Sequence, residues 1–305
     1  MTGQLTIYQE HALRRFLRAL PSHATTILEI GSDLGANVVQ RLAKLTDCDV
    51  VGINPAPAFP QLSDAEEISE SIRLMQVDGR DIPLPDNSVD GVFTVATIEH
   101  VMDVPRLYAE VRRLLKPGGV LFADFAPIWS SYNGHHTYAV VGGKEARYWK
   151  PGRNPVPDFS HLLWSPDEMR EFLHQGPCDD SLVGPIVEWI YHGDGVNRLF
   201  LEDHLRALKG SGLSCERLKL RPGISPDPQT ESNLVARYGV RTRFDVAGVE
   251  ATMRKSESAT STAMIASRRI LNSGIGAATD FARSFSPAFR RSRTLRQLLN
   301  RRHLR

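Results

Sequence analysis

Apolar residues in the first 126 positions form short continuous runs, separated by stretches whose apolar positions recur at helical spacing. Residues 12–20 place Leu13, Phe16, Leu17 and Leu20 on one face of a predicted helix. Thr26–Ile30 reads as a short buried strand, residues 38–45 as a helix, and Asp49–Ile53 as a second strand. Residues 72–77 form a weaker third strand and residues 91–96 (GVFTVA) a fourth. Val104, Leu107, Val111, Leu114 and Leu115 share one helical face, which ends at the breaker Lys116-Pro117-Gly118-Gly119. Residues 120–124 (VLFAD) form a fifth strand. Strands that are apolar throughout, rather than alternating, are buried on both faces. The pattern therefore predicts an α/β fold with a doubly wound, mostly parallel sheet.

The rhythm breaks over residues 127–198, which are rich in Pro, Gly, His and aromatics. One clear helix start stands there, with Ser165 as N-cap, Pro166 behind it, then Asp167 and Glu168. This stretch reads as an inserted lid. A helix over residues 201–208 and strands over residues 214–220 and 249–253 then complete a seven-stranded, Rossmann-like sheet. The expected organisation is one domain over residues 1–255 and a tail over residues 256–305.

Composition adds three constraints. With 305 residues, 41% hydrophobic and 24% charged, a sizeable core is affordable and global disorder is excluded. No apolar run reaches the roughly 18–20 residues of a membrane span, and the N-terminal stretch lacks the apolar region of a secretory leader. Three scattered cysteines (Cys48, Cys178, Cys215) form no disulfide scaffold, so a reducing, cytoplasmic setting is expected. The net charge of +2 conceals a basic tail: residues 256–305 carry ten arginines against Glu257 and Asp280, while the remainder is net acidic. With Leu295, Leu298 and Leu299 at helical spacing, that tail suits an anionic membrane surface; a disordered, solvated extension is the plainer alternative.

The segment ILEIGSDLG (residues 27–35) is a buried strand followed by a glycine turn that opens a helix. Glycine lets backbone approach a ligand closely, and a helix N-terminus offers free N–H groups to an anionic moiety. Further on stand VDGRDIPLPDNSVDGVFT and VATIEHVMDVPRLYAEVRRLLKPGGVLFAD. Taken in series, residues 25–126 resemble the class I S-adenosylmethionine-dependent methyltransferases, especially those acting on small molecules. The resemblance implies that Glu29 and the turn from Gly31 to Gly35 hold the amino-acid end of S-adenosylmethionine. Asn54 would face the ribose, Asp78 and Gly79 the adenine, and Ala96 with Thr97 the methionine portion. Two positions depart from the family pattern: Asp33 stands where glycine is usual, and Asn54 where the ribose acid stands. An aspartate at position 54 would restore a charged acceptor and is expected to tighten binding. A dinucleotide-binding turn would need G-x-G-x-x-G with an acid about 20 residues on, and this chain has neither.

Methyl transfer to a hydroxyl needs a proton acceptor, and histidine is the usual one. His100 follows the fourth strand, and His135 and His136 follow the fifth; these three are the candidate catalytic residues, with His100 preferred. Some methyltransferases of this superfamily hold a divalent ion with Glu-x-x-Glu-His. Here Ala96 replaces the first acid before Glu99-His100, so no metal is expected. Trp129, Tyr132, Tyr138, Tyr148 and Trp164 crowd the insertion, as an acceptor wall or as the lid's own core. The expected function is O-methylation of a small molecule or glycan. Two other readings are a cofactor-binding protein without turnover and, on the strength of the tail alone, a nucleic-acid methyltransferase.

Overall fold

A computed structural model describes residues 5–57, 70–176, 178–239 and 242–257. The chain opens with α1 (Ile7–Ala19), which starts one turn earlier than its apolar pattern because Thr6 and Gln9 close a capping box. There follow β1 (Thr26–Ile30), α2 (Asn37–Leu45), β2 (Asp49–Ile53), β3 (Ile72–Met75), β4 (Val89–Val95), a single 3₁₀ turn at Ile98–His100, α3 (Val104–Leu114) and β5 (Leu115–Phe125). After the insertion come α7 (Leu201–Gly210), β8 (Ser214–Pro222), α8 (Pro228–Tyr238) and β9 (Val246–Arg254). The seven-stranded sheet has the order β3-β2-β1-β4-β5-β9-β8; β9 runs antiparallel to both neighbours.

Two apolar layers enclose this sheet. On one side α1 and α2 contribute Leu13, Phe16, Val39 and Leu42, and Phe93 of β4 packs between Phe16 and Phe122 at ring distances of 5.4 and 5.8 Å. On the other side α3 and α7 contribute Leu107, Val111, Leu205 and Leu208. Polar residues fasten the strand starts. Buried Asp90 accepts from the Thr25 and Thr26 amides (2.9 and 3.0 Å) and from Lys116 Nζ (2.7 Å), tying the Lys-Pro-Gly-Gly breaker to β1. Lys255 Nζ donates to Asn87 Oδ1 and to the Arg112 and Leu115 carbonyls, closing the end of β9 onto α3.

The inserted segment contains a hairpin of β6 (Tyr138–Val141) and β7 (Lys144–Arg147), then α4 (Ser160–Leu163), α5 (Pro166–Gln175) and α6 (Asp180–Tyr191). Ser165 caps α5 in a capping box with Glu168, as its sequence predicts. Trp129, Phe159, Met169, Ile186 and Ile190 form a third apolar cluster, which Leu234 of α8 and Phe244 complete. The basic tail beyond Glu257 lies outside the described residues. Among the described residues no helix is long and apolar enough to cross a membrane.

Candidate functional site

β1 pairs with both β2 and β4, so the sheet reverses its winding at β1. In open α/β sheets a ligand crevice forms there, beyond the carboxyl ends of the strands. A cavity of about 500 Å³ occupies this place. Ile30, Ile53, Val77 and Val101 give it an apolar floor, and Asn54, Asp78, Arg80 and Asp194 a polar rim. This is the usual mixture for a small-molecule site.

The glycine turn is held from both sides. The Gly31 and Ser32 amides both donate to the Ile53 carbonyl, at 2.9 and 3.0 Å. Gly31 has φ +84°, and a Cβ built on it would stand 2.0 Å from Thr97 Oγ1. Ala96, also on the cavity wall, has φ +50°, a strained conformation for a side-chain-bearing residue. Gly35 sits beyond the cavity lining, at the start of α2. There Asp33 folds back, so that its Oδ1 accepts from the Gly35 amide (2.8 Å) and Asn37 Nδ2 (2.9 Å). The helix start therefore already holds a carboxylate of its own. Glu29 is buried beneath the turn rather than on the lining. One of its oxygens has no hydrogen-bond partner, and burial pushes its pKa up to about 8, with Asp33 adding to the shift.

Asn54 and Asp78 both reach the cavity. Asn54 also ties the turn to its own loop: Nδ2 donates to the Ser32 carbonyl and Oδ1 accepts from the Ala56 amide, both at 2.8 Å. Asp78 is bridged by Arg80 through two side-chain bonds of 2.9 and 2.6 Å, and that pairing holds its carboxyl below the usual range. Gly79 lies beside it on the lining. An apolar slot ending in a carboxylate suits a purine whose amino group donates; Oδ1 already accepts from the Arg80 amide and Nε, and Oδ2, which accepts only from Arg80 Nη2, keeps a lone pair for it. These residues fit an adenosine; the α2 start, filled by Asp33, is the part that departs.

The three histidines divide. His100 opens onto the cavity, and burial by the surrounding chain lowers its pKa. Its Nδ1 pairs with the Gly195 carbonyl at 2.5 Å, which leaves Nε2 as the lone-pair nitrogen. His136 packs behind it, ring centroids 5.0 Å apart, and is held by burial at a pKa of about 3. His135 is placed elsewhere. Its Nδ1 accepts from the Thr137 amide, its ring packs on His161 (5.3 Å), and it lies in the polar core of the insertion instead of on the cavity wall. A peptide-bond neighbour can thus sit one layer away, because the backbone turns at His136 through φ +46°.

The site also contains residues that periodicity does not mark. Asn197 Nδ2 donates to the Ile98 and Val101 carbonyls (2.7 and 3.0 Å), and its amide donates to the Glu99 carbonyl, so this one residue clamps the 3₁₀ turn carrying His100. Arg80 and Asp194 line the cavity too, beside Thr97, which the motif series marks. Only an asparagine isolated in an aromatic-poor loop would have hinted at the clamp.

A sheet with this reversal and a cleft beyond its strand ends defines a doubly wound α/β protein. Residues 28–123 match the family described as "Methyltransferase domain". Over that segment the chain is similar to the class I S-adenosylmethionine-dependent methyltransferases. It is similar to the sterol 24-C-methyltransferase of Aspergillus fumigatus, 31% identical over 98 residues, covering 31% of this chain and 26% of that protein. An uncharacterized methyltransferase of Mycobacterium tuberculosis is 36% identical over 102 residues, covering 33% and 40%. The chain thus spans between about a quarter and two fifths of the length of these relatives. Among solved structures, geranyl diphosphate C-methyltransferase from Streptomyces coelicolor A3(2) overlaps 81% of this chain and 79% of its own, at 15% identity and a TM-score of 0.47.

Proposed function

We propose that the chain transfers a methyl group to a hydroxyl of a small molecule or glycan. The observation that carries this reading is the cavity at the winding reversal, with Gly31, Ala96 and Asp78 on its wall and His100 Nε2 free beside them. Bound S-adenosylmethionine supplies an electrophilic methyl group there. Asp78 accepts from the adenine amino group, and the apolar floor of Ile30, Ile53 and Val77 excludes water from the base and sugar. Orientation and desolvation do most of the work in such a displacement. His100 takes the acceptor's proton at Nε2, while its Nδ1–H stays on the Gly195 carbonyl and fixes the tautomer. The lowered pKa of His100 keeps it neutral, and so competent as a base, at neutral pH.

A direct test is calorimetric titration with S-adenosylhomocysteine and with NAD, followed by turnover on panels of hydroxylated acceptors. Binding of S-adenosylhomocysteine and not NAD is expected. His100→Ala should leave that affinity in place and lower turnover by ~10²–10⁴-fold. NAD binding without a response to S-adenosylhomocysteine would sink the reading.

A further inference from the structure

Glu99, His100 and His136 come from two separate stretches of chain, the turn after β4 and the loop after β5. One potential ligand atom from each lies within 4.8 Å of the other two. The expectation of no metal rested on Ala96 standing in the first acidic position. It did not foresee a histidine arriving from beyond β5.

Their hydrogen bonding is compatible with that of ligands. His100 Nδ1 sits on the Gly195 carbonyl at 2.5 Å, and His136 Nδ1 on the Gly134 carbonyl at 2.8 Å. A carbonyl only accepts, so each Nδ1 carries the proton and each Nε2 presents a lone pair. Metal-bound histidines are oriented in this way, with the distal N–H on a backbone carbonyl. His136 is 1% exposed, and its Nε2 has no partner. Glu99 is also 1% exposed, and one of its oxygens has no partner. A buried carboxylate oxygen and a buried imidazole lone pair thus each lack a partner, in two residues that can offer ligand atoms to one ion. His136 also holds φ +46°, an outlier conformation that the loop maintains while seating this ring beside His100.

The geometry points to a divalent transition-metal site formed by Glu99, His100 and His136. Two imidazoles and one carboxylate suit zinc or another first-row ion rather than magnesium, which prefers oxygen alone. Ligands bonded at about 2.0–2.2 Å to one ion stand roughly 3–3.5 Å apart, so binding draws the three side chains together by about an ångström. His100 borders the cavity, so the ion's remaining positions face the place where an acceptor would lie. Metal binding itself does not depend on the methyl-transfer reading. If both hold, His100 Nε2 is a ligand rather than the base, and the ion lowers the pKa of an acceptor hydroxyl bound to it.

The test uses the full chain stripped by a chelator and titrated with Zn²⁺ by calorimetry and with Co²⁺ by visible absorption. One ion per chain with micromolar or tighter affinity is expected, and Co²⁺ should develop ligand-field bands. Glu99→Gln and His136→Gln should each weaken binding at least about tenfold, while His161→Gln, a buried histidine outside the cluster, should not. If either buried variant fails to fold, His100→Gln on the cavity wall serves in its place. No saturable binding to the wild type, or variants that bind as the wild type does, overturns the site. Ion-free protein that binds no metal yet keeps full turnover also overturns it, and returns His100 to the role of base. S-adenosylhomocysteine binding by ion-free protein tests the cofactor reading separately.

Discussion

Gly31→Ala is the sharpest perturbation of the cavity wall. At φ +84° the added methyl costs about 1–2 kcal/mol in left-handed strain. It would also stand 2.0 Å from Thr97 Oγ1 and 2.5 Å from Cγ2, so Thr97 must leave its position. That sacrifices the bond from Thr97 Oγ1 to the Val95 carbonyl (3.0 Å), about 0.5–1.5 kcal/mol, and forces a rotamer change of about the same cost. The whole comes to about 2–5 kcal/mol. Urea unfolding measures it, with S-adenosylhomocysteine titration alongside, since Gly31 and Thr97 both line the cavity. The double variant with Thr97→Ala removes both of the closest atoms and should recover only the rotamer part, about 0.5–1.5 kcal/mol, leaving the backbone strain and the lost Thr97 hydroxyl bond. A loss below about 0.5 kcal/mol for Gly31→Ala, or a double variant no better than the single, would refute this account of the turn.

Asp78→Ala should weaken S-adenosylhomocysteine binding by about 1.5–3 kcal/mol in calorimetry. It should barely change stability, because the ion pair to Arg80 is over a third exposed on both sides. Asn54→Asp loses the donor to the Ser32 carbonyl and sets a carboxylate against it. Affinity should therefore fall rather than rise, and tighter binding would show that the side chain turns to the ribose instead. A chain ending after Glu257 keeps the Lys255 contacts and should bind S-adenosylhomocysteine like the full chain, whereas only the full chain, with its arginine-rich tail, should co-sediment with anionic vesicles at low salt.

Much of the fold was legible because its strands are buried on both faces. Thr26–Ile30 and Asp49–Ile53 are strands at the same limits that their apolar runs mark. The helices that escaped detection have identifiable reasons. α6 carries Pro185 in its interior, which reads as a helix breaker although Leu182, Val183, Ile186, Val187 and Ile190 share one face. α8 buries only Leu234 and so offers nothing periodic to read. The cavity residues at the ends of β1, β2 and β4 were legible from the motif series. The wall facing them was not: Asn197 reaches carbonyls 96 and 99 positions away, and Gly195 meets His100 across 95. Pairings over such separations depend on how the insertion folds back, which local patterning does not encode. Asn54 shows the same limit, since its position marks it for a ligand while its amide is spent on Ser32 and Ala56.

Buried groups that titrate on both sides of neutrality shape the dependence of stability on pH, and three of them lie away from the histidine cluster on the cavity wall. His161 and His204 are held by burial at pKa values of about 4, against ~6.5 in an unfolded chain. A depressed histidine favours the folded state above its unfolded pKa, and that advantage is lost as pH falls, because the unfolded chain takes up the proton first. Glu29, raised by burial to about 8 from an unfolded ~4.3, acts in the opposite sense. Its contribution is complete at low pH and drains away as pH rises toward 8. Each unit of separation is worth about 1.4 kcal/mol. Between pH ~4.5 and ~6.5 the two histidines together add about 4 kcal/mol while Glu29 removes about 2, so these three groups raise stability by about 2; from ~6.5 to ~8 they lower it by about 1. Asp90 and Glu110, whose pairing lowers their pKa values, titrate below this window. Urea unfolding across the range measures the curve. Glu29→Gln should steepen the acid limb and make the alkaline one shallower, Glu99, also raised to about 8 by burial, keeping part of it, whereas His161→Gln should flatten the acid limb. A stability that keeps rising to pH ~8, with an acid limb that Glu29→Gln does not steepen, would mean that the carboxyl beneath the glycine turn is charged and paired in solution.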